Sequence, residues 1–116
     1  MKKFAFLALS FCATLALGAD MKVYKSPTCG CCGNWASAMQ KAGFSEETIK
    51  VDDLVKVKKE FHVPLELSSC HTAIVDGYVI EGHVPADEVK RLLELKPKDA
   101  VGIAVPGMPM ESQGME

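Results

Sequence analysis

The chain has 116 residues, with 13 Lys+Arg against 15 Asp+Glu and a formal charge of −2. That is room for one domain, and a mildly acidic chain without a Lys/Arg stripe is poorly suited to nucleic acid or anionic lipid. Hydrophobic residues make up 48%, enough for a small core even after an apolar leader is discounted.

Met1-Lys2-Lys3 is a short basic start, Phe4 to Leu17 is apolar, and the small residues Gly18 and Ala19 close the run. This layout predicts a secretory signal peptide over residues 1–19, cleaved after Gly18 or Ala19. A membrane span needs ~20 apolar residues, and this run ends before Asp20, so no membrane anchor is expected after cleavage. Loss of Lys2 and Lys3 with the leader takes the charge from −2 to −4. Cys12 leaves with the leader too, so five cysteines become four: Cys29, Cys31, Cys32 and Cys70.

The mature chain reads as one domain over 20–105 with a mobile, Met-containing tail over 106–116. Met21-Lys22-Val23-Tyr24-Lys25 alternates and predicts a first strand, stopped by Ser26-Pro27-Thr28. Trp35 to Ala42 predicts a helix, with Gly43 then Phe44 as its C-terminal signal. Thr48 to Asp52 predicts a second strand. Leu54, Val57 or Lys58, and Phe61 share one face of a second helix over Asp53–Phe61, which ends before Pro64.

Thr72-Ala73-Ile74-Val75 and Tyr78-Val79-Ile80-Glu81 flank Asp76-Gly77, the pair that a tight hairpin favours because both turn residues need positive φ. Pro85, Asp87 and Glu88 suit the start of a last helix, in which Val89, Leu92 and Leu93 form the buried stripe up to Pro97. Val101 to Gly107 predicts a short extended piece and a turn. The element order is that of a thioredoxin-like βαβ-α-ββα fold in the α/β class.

Cys29-Gly30-Cys31-Cys32 lies between the first strand and the first helix. A helix N-terminus presents unpaired N–H groups and partial positive charge, and both favour thiolate. In a thioredoxin-like chain the residues just before the third strand sit against this loop, and here they are Ser69-Cys70-His71-Thr72. The fold therefore predicts that Cys70 joins the other three sulfurs.

Four gathered thiols allow three chemistries. Structural disulfides suit an exported protein. Thiol–disulfide exchange through Cys29 and Cys32, with no metal, is the second. Soft-metal binding is the third: thiolates select Zn, Fe–S clusters or Cu(I). Structural zinc usually takes two separated Cys pairs, whereas this chain offers three ligands in one loop and one elsewhere. Met108, Met110 and Met115 stand in a polar tail that no helical stripe explains, and their thioethers tilt the choice toward copper. His71 is placed to ligate or to orient the Cys70 thiolate; His83 is expected to bond the nearby turn, and Trp35 to be core.

Several separated motifs now come together: Ser26-Pro27-Thr28-Cys29-Gly30-Cys31-Cys32 with Trp35, Gly43-Phe44, Ser69-Cys70-His71-Thr72-Ala73, Gly77-Tyr78, Glu81-Gly82-His83-Val84-Pro85 and Val105-Pro106-Gly107-Met108-Pro109. Together they resemble the CopG family, the periplasmic copper-resistance proteins of Gram-negative bacteria, over about Tyr24 to Met115. Four thiolates themselves suit Cu(I), as a single ion or a multinuclear cluster, and the resemblance implies a thioredoxin-like fold, export to the periplasm, and copper bound through cysteine. It also implies copper-dependent redox chemistry and contact with other periplasmic copper-handling proteins. Carried over by position, the metal ligands are Cys29, Cys31, Cys32, Cys70, Met108 and Met115. Ala38 stands where members often carry a histidine, and Met110-Glu111-Ser112-Gln113-Gly114 replaces a Gly-Ser-Pro-Gly stretch.

Overall fold

The computed structural model describes residues 19–107 and 112–115. The expected leader, apart from Ala19, lies outside the described residues, as do Met108 and Met110. Among the described residues five strands form one mixed sheet: β1 (Asp20–Lys25), β2 (Ser45–Lys50), β3 (His71–Val75), β4 (Tyr78–Glu81) and β5 (Gly102–Ala104). Three helices accompany it, α1 (Gly30–Lys41), α2 (Leu54–Glu60) and α3 (Ala86–Leu95), with a 3₁₀ turn at Leu65–Leu67. The spatial order is β2-β1-β3-β4-β5. β1 runs parallel to β2 and antiparallel to β3, β3–β4 is an antiparallel hairpin, and β5 lies parallel to β4. This is the expected α/β, thioredoxin-like arrangement, with the extended piece after Pro97 added as an edge strand. No helix among the described residues is long and apolar enough to cross a membrane.

Local signals account for most element ends. Gly43 (φ 105°) closes α1, with its N–H bonded to Gln40 O and that of Phe44 to Met39 O, the two bonds of a Schellman motif. Asp53 caps α2 by accepting the Lys56 N–H at 3.1 Å. Asp76 and Gly77 take φ of 50° and 81°, as a two-residue hairpin requires. Two boundaries differ from expectation. Helix α1 starts at Gly30 rather than near Trp35, because burial of Cys32 and Trp35 carries a first turn that Gly30, Gly33 and Asn34 disfavour. β2 starts at Ser45 rather than Thr48, since its register follows β1 from Asp20 opposite Ser45 to Lys25 opposite Lys50.

The alternation of the strands sorts the residues between two faces. Met21, Val23, Ala73, Val75 and Ile80 are buried in one cluster with Trp35, Ala36 and Met39 of α1 and Val89 and Leu92 of α3. Lys25 and His71 continue that face toward the C-terminal end of β1, where they stand opposite each other. The other face carries Thr72 opposite Glu81, and α2 covers it with Lys58. Of the alternatives on the α2 stripe, the buried position is therefore Lys58, which is 8% exposed.

Candidate metal centre

Ser26-Pro27-Thr28 turns the chain out of β1, and the Cys29 N–H closes that turn on Ser26 O at 3.2 Å. Cys29 is the N-cap of α1, with extended backbone and no side-chain cap, and no acidic residue stands in the first turn. The partial positive charge of the helix end is thus left for the sulfurs. Cys31 and Cys32 lie within that first turn. Cys32 is buried, while Cys29, Cys31 and Cys70 are half-buried.

From the other side of the site, Cys70 precedes β3. Its position is fixed by its neighbour: the Ser69 N–H donates to Glu81 Oε2 at 2.8 Å, and Ser69 Oγ donates to Gly107 O. Gly82 keeps φ at +81°, and a Cβ there would stand 2.5 Å from Val105 O and 2.7 Å from Ser69 Oγ. The close seating of the Ser69-Cys70 segment thus depends on glycine at position 82. Beneath it, Lys58 Nζ donates to Thr72 Oγ1 at 2.9 Å and pairs with Glu81 Oε2, and Thr72 Oγ1 donates to Glu81 Oε1 at 2.6 Å.

One ligand atom from each of Cys29, Cys31, Cys32 and Cys70 falls within 4.8 Å of all the others. The downstream sulfur has joined the loop trio, as the fold predicts. Cys29 and Cys32 are joined by a disulfide, with Cα atoms 5.5 Å apart, and Cys31 and Cys70 are free. Cys31 Sγ is 3.5 Å from Cys29 Sγ, and Cys32 Sγ is 3.5 Å from Cys70 O. Burial pushes the Cys70 thiol up to about 11, opposed by the Ser69 hydroxyl and reinforced by Cys31. At neutral pH a soft cation must therefore displace the Cys70 proton to bind there.

Behind Cys70 lies a layer of rings. His71 and His83 are fully buried, with centroids 5.1 Å apart in an edge-on arrangement, and the Trp35 ring lies tilted at 41° to His71 with centroids 4.5 Å apart. Trp35 is core, as expected, and its Nε1–H donates to Val84 O at 2.8 Å. Burial holds the His71 imidazole down at about 3, with the neighbouring Lys58 ammonium adding to the effect. His71 is therefore neutral at physiological pH, the form that ligates metals. His83 bonds the tail rather than the nearby turn: its Nδ1 meets Gln113 O at 2.7 Å, and Gln113 Oε1 accepts the Ala86 N–H at the start of α3 at 2.8 Å. Residues 112–115 thus lie against the domain. Met115 is half-buried, and Met108 lies outside the described residues.

Sequence reasoning missed the Lys58–Glu81–Thr72 network and the role of Gln113. A charged residue at the end of a strand and a lysine on a helix look solvated until the topology stacks them.

Comparison with known proteins follows the same lines. Two solved structures, named copper resistance protein CopG forms 2 and 1, are 40% and 41% identical to this chain, with TM-scores of 0.81 and 0.79. They cover 85% and 84% of it, and 78% and 76% of their own chains. The family described as "Protein of unknown function, DUF411" matches residues 67–115. No curated protein matches.

Proposed function

This chain belongs to the CopG family of copper resistance proteins, and from that premise we propose that it is exported to the periplasm and there holds Cu(I) on Cys29, Cys31, Cys32 and Cys70. The observation that carries this reading is the arrival of Cys70, from before β3, among three sulfurs at a helix end. Thiolates are soft ligands that bridge copper ions readily, so a multinuclear cuprous cluster suits the set. The positive end of α1 offsets part of its negative charge. Met108 and Met115 supply thioether ligands from the tail, and other periplasmic copper-handling proteins deliver or receive the ion.

The Cys29–Cys32 disulfide is the oxidised state of this site. An external dithiol reductant opens it by supplying two electrons and two protons. Two cupric ions oxidising the two thiols re-form the S–S bond, release two protons and leave two cuprous ions. Copper loading and sulfur oxidation state are thereby coupled.

Anaerobic titration with Cu(I) tests the reading. The reduced protein is expected to take up more copper per chain than the disulfide form, and to hold it at least about tenfold more tightly. The same disulfide favours a second reading, metal-free dithiol exchange in which Cys29 attacks a partner. That reading predicts equal copper uptake by the two forms and a trapped mixed disulfide in a Cys32→Ser variant.

A further inference from the structure

Among the described residues the buried Nε2 atom of His83 has no hydrogen-bond partner, and an unpartnered buried polar atom is costly. For His83 the geometry defines what that atom is. With Nδ1 donating to a carbonyl oxygen, the neutral ring has its proton on Nδ1 and leaves Nε2 with a bare lone pair. This is the arrangement by which proteins orient metal-ligating histidines: one ring nitrogen donates to a backbone carbonyl and the other faces the ion. The tail maintains it tightly. Gly114 has φ of +93°, and a Cβ there would approach His83 Nδ1 to 2.9 Å and the Trp35 backbone to 3.0 Å.

Cys70 completes the set. Its sulfur and one nitrogen of each ring lie mutually within 4.8 Å, and Cys70 Sγ is 3.4 Å from His71 Nδ1. Sulfur and nitrogen ligands on one tetrahedral ion, with bonds of about 2.3 and 2.05 Å, stand about 3.5 Å apart. Two imidazoles and one thiolate suit copper and zinc, the ions shared by both donor types.

We propose that Cys70, His71 and His83 form a second, interior metal site, which shares Cys70 with the thiol cluster and survives when Cys29 and Cys32 are disulfide-bonded. None of its ligands is consumed by that disulfide, and Cys31 remains free beside it. The oxidised protein therefore keeps one ion where the four-thiol site has lost two donors. The site rests on the reading of Cys70 as a copper ligand, and it gives that sulfur a second partner set.

The test uses the disulfide form of the full chain and cobalt(II) chloride alone, a redox-quiet stand-in with an informative spectrum. One Co(II) per chain is expected, with intense tetrahedral visible bands and paramagnetically shifted ring N–H resonances that include the His83 Nδ1–H. A His83→Gln variant is expected to lose at least about tenfold in Co(II) affinity. No uptake by the disulfide form, or uptake without shifted imidazole resonances, overturns the proposal. The wild-type resonances decide the matter even if His83→Gln does not fold. Failure here leaves the four-thiol reading intact, since that reading fails separately if reduction adds no Cu(I).

Discussion

Replacing Cys70 by serine is expected to weaken Cu(I) binding by the reduced protein by about 100-fold or more, and to lower the number of ions held per chain. Changes around a metal site that leave its ligands in place typically cost 10–100-fold; deletion of a ligand bridging two donor sets costs at least as much. Serine preserves the side-chain size and the backbone held by Ser69 and Glu81, so the fold should persist and the loss is assignable to the sulfur. Hard hydroxyl oxygen is a poor substitute for soft thiolate toward a cuprous ion. A competition titration against a chromophoric Cu(I) chelator reads both quantities. Unchanged affinity and stoichiometry would remove Cys70 from the site.

The second large effect is on stability. Lys58→Ala is expected to destabilise the protein by about 3–5 kcal/mol, because it strands Glu81, 2% exposed, without its cation. In a domain of this size such a loss lowers Tm by more than about 10 °C. The damage should reach the site as well. Glu81 uses the same Oε2 to accept from Lys58 and from the Ser69 N–H, so a displaced carboxylate loosens the residue that seats Cys70. Urea denaturation of the metal-free protein measures the stability term, and Cu(I) affinity of the folded variant measures the second. A loss below about 1 kcal/mol would mean that the pair behaves as a solvated surface bridge.

These two predictions divide between what could and could not be read from the chain. The hairpin and the Gly43-Phe44 stop were legible because each rests on neighbours in sequence: Asp76-Gly77 supplies its own turn geometry, and Gly43 the positive φ that ends α1. The convergence of Cys70 on Cys29-Gly30-Cys31-Cys32 was legible one step further on, through the order of elements. Lys58 and Glu81 were not. Each is an ordinary charged residue locally, and only the stacking of α2 over β3 and β4 makes them a buried pair. The start of α1 was hidden for a related reason, since packing of Cys32 and Trp35 outweighs the poor helix propensity of two glycines. The partner of His83 was hidden as well: a bond to the nearby turn is the local expectation, whereas Gln113 comes from a tail whose sequence carries no periodic signal.

On the proposed reading, one soft site takes all four sulfurs at once. Alkylation footprinting of the reduced protein under anaerobic Cu(I) titration, with each cysteine followed by mass spectrometry, tests it most directly. Cys29, Cys31, Cys32 and Cys70 are expected to become protected together over the same copper equivalents. Protection of the loop trio while Cys70 continues to alkylate at its copper-free rate would contradict it.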